Sequence, residues 1–149
     1  MLRHDWSLQE IESIYTAPLT ELVFRAASVH RAHHAPDQVQ GCMLLSIKTG
    51  GCPEDCAYCP QSARYDTGVG NQSLMSLDET LAAARNARDQ GATRFCMGAA
   101  WRDVPRDARF EQVLAMVRDV RALGIEACCT LGMLTQQQAD WPSAPAAPS

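Results

Sequence analysis

Residues 92–132, "ATRFCMGAAWRDVPRDARFEQVLAMVRDVRALGIEACCTLG", decide the fold class. They hold a short apolar run (92–101), a helical run (108–124) that stops at Gly124, and a second short apolar run (125–132). Strand, helix and strand of these lengths make a parallel βα unit, in which chemistry is expected at the carboxyl ends of the strands. The segment before it has the same plan. "VQGCMLLSIKTG" (39–50) reads as a strand, and "SLDETLAAARNARDQG" (76–91) as a helix with Ser76 and Glu79 at capping-box spacing and Gly91 as its stop. The expected class is α/β, with about three βα units wound in parallel.

The flanks differ from this repeat. Ser7 and Glu10 have capping-box spacing, Pro18 opens "PLTELVFRAASVHRAHH", and Leu19, Leu22, Val23 and Ala26 share one helical face, so residues 1–39 read as a helical extension. Residues 40–138 carry the βα repeat. Thr135 with "QQQA" has the form of a cap and first helical turn, after which periodicity ends in "WPSAPAAPS" and residues 139–149 are expected to be disordered. Twelve of the thirteen basic residues are arginine, as in GC-rich coding sequence, whose out-of-frame reading yields Ala, Pro, Arg and Ser runs. We therefore expect the chain to diverge after about Gln138 by frameshift or early ending.

The 149 residues are 46% hydrophobic and 20% charged, enough for one core. The net charge of −4, with basic residues scattered, argues against nucleic acid and anionic membranes as partners. No segment has the length of a signal-peptide core or a membrane span, so a cytoplasmic location is expected. In that reducing compartment seven cysteines point to metal or catalysis rather than structural disulfides.

Three of them lie in "GGCPEDCAYCPQ" (50–61), at Cys52, Cys56 and Cys59, directly after the first expected strand. Structural zinc draws on four ligands, usually in paired knuckles, and the nearest histidines, His33 and His34, lie in the helical extension. A cubane iron–sulfur cluster suits the triplet better, because three thiolates hold three irons and leave the fourth open to a ligand. A purely structural cluster, a zinc site with a distant ligand, and reduced core cysteines stay open as alternatives.

"CPEDCAYC" resembles the cluster motif of radical S-adenosylmethionine enzymes, with Tyr58 as the aromatic before the third cysteine. The flanking "LLSIKTGGCPEDCAYCPQSARYDTG", "TRFCMGAAWR" and "EACCTLGMLT" resemble the biotin synthase family within that superfamily, over roughly residues 5 to 138. The resemblance implies the N-terminal part of a (β/α)8 TIM-type barrel and two clusters. One is a [4Fe-4S] cluster on Cys52, Cys56 and Cys59 whose open iron chelates S-adenosylmethionine. The other is a [2Fe-2S] cluster for which Cys96 and Cys128 match two ligands. The implied reaction converts dethiobiotin to biotin: reductive cleavage of S-adenosylmethionine yields a 5'-deoxyadenosyl radical that abstracts hydrogen, and sulfur comes from the [2Fe-2S] cluster. An electron donor such as flavodoxin or ferredoxin and a homodimer are implied as well.

On the same resemblance, Tyr58 flanks the adenine, and Gly98, Ala99 and Ala100 let backbone approach S-adenosylmethionine. The later barrel strands of the family supply an asparagine-rich stretch, a further cysteine ligand and an arginine ligand that have no counterpart here. The second reading is therefore a truncated, catalytically inactive iron–sulfur-binding fragment. Of the remaining residues, Cys42 and Met97 read as strand core, Met133 as core, and Cys129 as packing against helices on the face opposite Cys128. Lys48, the only lysine, reads as a solvated strand end, His30, His33 and His34 as a solvated helix end, and Trp101 as a residue at the barrel mouth.

Overall fold

In the computed structural model, which describes residues 3–140, helices begin where the capping signals fall. In the first 39 residues, α1 (Leu8–Tyr15) starts at a complete capping box. Ser7 Oγ accepts from the Glu10 backbone N–H, and a Glu10 carboxylate oxygen accepts from the Ser7 N–H at 2.8 Å. A second helix, α2 (Leu19–His33), follows with Pro18 as its N-cap rather than its first helical residue. The Pro18 carbonyl accepts from Leu22 N–H at 3.0 Å, so the helix begins one residue later than its sequence reads. No residue of either helix is buried, and His30, His33 and His34 are solvated, with the His30 and His34 rings stacked at 5.4 Å.

Chain contacts divide the molecule between Val39 and Gln40. The second unit is built on β1 (Cys42–Lys48), β2 (Arg94–Ala99) and β3 (Glu126–Thr130), joined through α3 (Leu77–Asp89) and α4 (Ala108–Ala122). The three strands form one parallel sheet in the order β1-β2-β3, as the α/β reading requires and as the opening arc of a βα barrel is arranged. Ser76 and Glu79 form the expected capping box on α3, and Asp107 caps α4 by accepting from Arg109 N–H at 2.9 Å. A last short turn, α5 (Gln136–Ala139), carries the Thr135–Gln138 capping box. It takes Ala139 and its cap Asp140, the first two residues of the stretch expected to be disordered, into ordered structure; residues 141–149 lie outside those described.

Strand alternation divides the sheet into two unlike faces. Ile47, Phe95 and Met97 point to the helices and are buried with Leu81, Ala84, Ala87, Val113, Met116, Val120 and Ile125. Each large side chain buried there contributes about 1.5–3 kcal/mol over exposure. Met97 is thus core, as read, and Cys129 packs against the same cluster. The opposite face carries Cys42, Leu44, Ser46, Cys96, Gly98, Cys128 and Thr130. Cys42 is exposed on it, which corrects its reading as strand core: apolar character in β1 does not say which of its two faces is covered. Met133 is also exposed, because it lies in the loop after β3 beyond the reach of the helices.

Candidate functional site

The site grows from the exit of β1. Gly50 and Gly51 both adopt φ of +70°, a conformation that favours glycine. At Gly50 a Cβ would also come within 2.4 Å of the Gly70 carbonyl, so the backbone that returns from the loop is packed directly against this turn. Further hydrogen bonds seal the return: Gln72 N–H donates to Thr49 O at 2.9 Å, and Met75 N–H to Ile47 O at 2.7 Å.

Between these segments the cysteine loop is fastened to itself. Cys52 N–H donates to Gln61 O at 3.0 Å, Ala63 N–H to Cys52 O at 2.7 Å, and Cys59 N–H to Cys56 O at 2.9 Å. Ser62, buried among exposed neighbours, donates its hydroxyl to Glu54 O, and the Gln61 side chain accepts from Gly50 N–H. Tyr65 OH donates to Asp55 Oδ1, which raises the Tyr65 pKa. The loop therefore has a defined backbone from Gly50 to Arg64.

Lys48 is part of this fastening. Its ammonium donates to Gly50 O and to Asn71 Oδ1, the latter at 2.8 Å, joining the turn to the returning chain. Burial lowers its pKa, against which the nearby Cys52 acts in the opposite direction. This corrects the reading of Lys48 as a solvated strand end. Its charge suggested solvent, but unpaired carbonyls at a tight glycine turn offer acceptors that only the folded loop brings within reach.

The loops at the carboxyl ends of all three strands meet. Glu54 pairs with Arg102 at 2.9 Å, tying the cysteine loop to the β2 exit. Met133 N–H donates to Arg102 O and Val104 N–H to Met133 O, at 2.8 and 3.0 Å, tying the β2 exit to the β3 exit. Trp101, half-buried, lines a cleft of about 670 Å³ together with Lys48, Gly51, Asn71 and Ala100. A smaller cleft of about 320 Å³, between the start of α4 and the Thr135 turn, contains none of the candidate residues.

Cys52, Cys56 and Cys59 are all free thiols on this loop, Cys56 exposed and the other two half-exposed. Among the described residues no three His, Cys, Asp or Glu side chains converge at metal-binding separation, so the triplet shares a backbone frame without its thiols being gathered. The donor set itself, three reduced thiols on one fastened loop and no competing disulfide, fits a three-thiolate cluster. Tyr58, 91% exposed, stands beside Cys59 at the loop surface. Gly98, Ala99 and Ala100 lie across the end of β2, where Ala100 N–H donates to Lys48 O at 2.8 Å. A Cβ on Gly98 would meet only Leu45 O, at 3.9 Å, so packing within the sheet does not demand glycine there. Ala100 shares the cleft with the loop's first residues; Tyr58, Gly98 and Ala99 do not line it.

A second group of thiols occupies the sheet face away from the helices. Cys96 and Cys128 are register partners on β2 and β3, and Cys42 Sγ lies 3.3 Å from Cys96 Sγ. The hydrogen bond with Cys42, then loss of solvation, then the Cys128 thiol push Cys96 up to about 12. Beside them Arg94 makes a two-pronged contact with Glu126, at 2.9 and 2.8 Å, and Gln40 donates to the same carboxylate. Cys129 faces the helices instead, where burial and then Cys128 push it up to about 11. Sequence reasoning missed Cys42 and Lys48 as parts of these sites. The signal for Cys42 was its even spacing with Leu44 and Ser46, opposite in parity to Met43, Leu45 and Ile47.

No helix among the described residues is long and apolar enough to cross a membrane. No family model matches the chain. It is 60% identical over 137 residues to a biotin synthase of Sorangium cellulosum, covering 92% of this chain and 39% of that protein. It is 61% identical over 138 residues to a biotin synthase of Myxococcus xanthus, covering 93% and 40%, and 58% identical over 139 residues to one of Methylococcus capsulatus, covering 93% and 42%. The chain spans about two fifths of the length of the curated relatives it matches.

Proposed function

We propose that this chain, related to the biotin synthases over nearly all of its own length, serves radical sulfur insertion that converts dethiobiotin to biotin. The observation that carries the reading is the triplet of free thiols on a fastened loop at the carboxyl end of the first parallel strand. In this reading Cys52, Cys56 and Cys59 hold a [4Fe-4S] cluster, and Cys96 and Cys128 contribute to a [2Fe-2S] cluster. Tyr58, Gly98, Ala99 and Ala100 border S-adenosylmethionine. When bound, the first cluster supplies the electron for cleavage of S-adenosylmethionine and the second supplies sulfur.

The chain's own residues do the positioning. Lys48 and Asn71 hold the turn that aims the cysteine loop, and the Glu54–Arg102 pair holds that loop to the end of β2. The bare backbone at Gly98 leaves room on the thiol-bearing face. A reducing cytoplasmic setting suits seven free cysteines. Flavodoxin or ferredoxin is the class of electron donor, and a homodimer the assembly, that go with this reading.

A second reading is an iron–sulfur-binding chain without turnover of its own; the chain spans about two fifths of the relatives whose activity the first reading carries over. Anaerobic reconstitution with iron and sulfide separates the two, followed by cluster absorbance, iron and sulfide content, and assays for 5'-deoxyadenosine and biotin. Biotin formation supports the first reading. Cluster without biotin supports the second. Failure of the wild-type chain to bind more iron than a C52A/C56A/C59A variant overturns the assignment of the loop.

A further inference from the structure

We propose that Cys42 and Cys96 are an oxidant-responsive thiol pair that closes to an intramolecular disulfide. The closure withdraws Cys96 from the face it shares with Cys128. Disulfide formation rests on geometry alone; its consequence for iron rests on the proposed role of Cys96.

The two sulfurs are 3.3 Å apart, against about 2.05 Å in a disulfide, so the remaining approach is on the order of 1 Å. They are diagonal neighbours: Cys42 is opposite Arg94, and Leu44 is opposite Cys96. Cys42 is the first residue of β1, where a small backbone adjustment disturbs only the end of the ladder. It is also exposed, whereas Cys96 is half-buried. The exposed thiol is therefore the one that meets a dissolved oxidant, and the shielded one stands next to it to resolve the product.

The chemistry balances with a peroxide as oxidant. Cys42 sulfur attacks hydrogen peroxide, the O–O bond breaks, and Cys42 becomes a sulfenic acid with release of one water. Cys96 sulfur then attacks the Cys42 sulfur, the S–O bond breaks, and a second water leaves as the disulfide forms. Two thiols lose two electrons and two protons, and one peroxide is reduced to two waters. Reduction by a dithiol reverses the change. Other pairings compete. Cys128 lies opposite Cys96, but it is not the exposed thiol, and Cys129 faces the helices.

The test uses the full reduced chain, treated with hydrogen peroxide, quenched by alkylation and mapped by peptide mass spectrometry. The expected result is a cross-link between the peptides containing Cys42 and Cys96, with loss of two hydrogen atoms. The cross-link should be lost in C42S, whose exposed position tolerates serine, and kept in C129S. Absence of the Cys42–Cys96 cross-link, or its replacement by a Cys96–Cys128 link, overturns the pairing. Iron content after anaerobic reconstitution is then compared in a C52A/C56A/C59A background, with and without prior oxidation. A several-fold loss that a dithiol restores supports withdrawal of Cys96. A cross-link that forms while iron content stays unchanged leaves the disulfide standing and overturns the role of Cys96 in holding iron.

Discussion

Gly50→Ala probes the turn on which the cysteine loop depends. The substitution carries two separable costs. At φ +70° a non-glycine residue is strained by about 1–2 kcal/mol. The added methyl would also stand 2.4 Å from Gly70 O and 2.9 Å from Gly70 C, both backbone atoms that a rotamer change cannot move. Forcing packed backbone apart adds about 1–3 kcal/mol, for a total on the order of 2–5 kcal/mol. Gly68→Ala supplies the control. Gly68 has nearly the same φ, +72°, but a Cβ there meets nothing within 4 Å, so only the strain of about 1–2 kcal/mol applies. Urea unfolding followed by circular dichroism should show a lower midpoint for Gly50→Ala than for Gly68→Ala at unchanged slope. Hydrogen exchange at the Gln72 and Met75 amides, which donate to Thr49 and Ile47, should accelerate in Gly50→Ala alone. Equal losses from the two substitutions would refute the close approach of the β1 exit to Gly70, and with it the account of how the loop is aimed.

Three further outcomes are expected. Met97→Ala, at a fully buried position, should cost about 2–5 kcal/mol, while Leu44→Ala, 74% exposed, should stay within about 0.5 kcal/mol; the reverse order in urea midpoints would place the core on the wrong sheet face. Asp107 is held at about 2 by the Arg109 side chain and then the Arg109 backbone N–H, against an ordinary 3.8. Its contribution is therefore complete above pH 3.8 and lost as pH falls toward 2, so the stability gap between wild type and Asp107→Ala should close over that window, and a gap that widens there would reverse the sign. On the proposed assignment of a cluster to Cys52, Cys56 and Cys59, Lys48→Met, measured in a C96S/C128S background, should release iron from that loop to a chelator on the order of 10-fold faster. Unchanged release would remove Lys48 from the positioning of that loop.

Element order was legible because each signal is local. The capping boxes at Ser7, Ser76 and Thr135 depend on three-residue spacing within one turn, and all three start helices. The strand runs around Leu45, Phe95 and Ala127 were recognisable for the same reason, and their alternation with helices implied the parallel sheet. The cysteine loop was legible as a composition and a spacing. What could not be read was which residues hold that loop, since Lys48 meets Asn71 and the loop's Glu54 meets Arg102 only in the folded chain.

Cys42 marks the boundary between the two kinds of information. Its place in a strand follows from neighbouring residues, as does its parity with Leu44 and Ser46. Its environment does not. Exposure and a sulfur contact at 3.3 Å with Cys96 arise only when β1 and β2 align in register and both helices cover the other face. Met133 and Met97 make the same point in the opposite sense, alike in composition yet one exposed and one buried. Local chain chemistry thus settles what each segment becomes, because propensity, caps and spacing act over a few residues. Burial, register and contacts between residues 32 and 54 apart in the chain depend on which surfaces meet, and that is a property of the packed molecule alone.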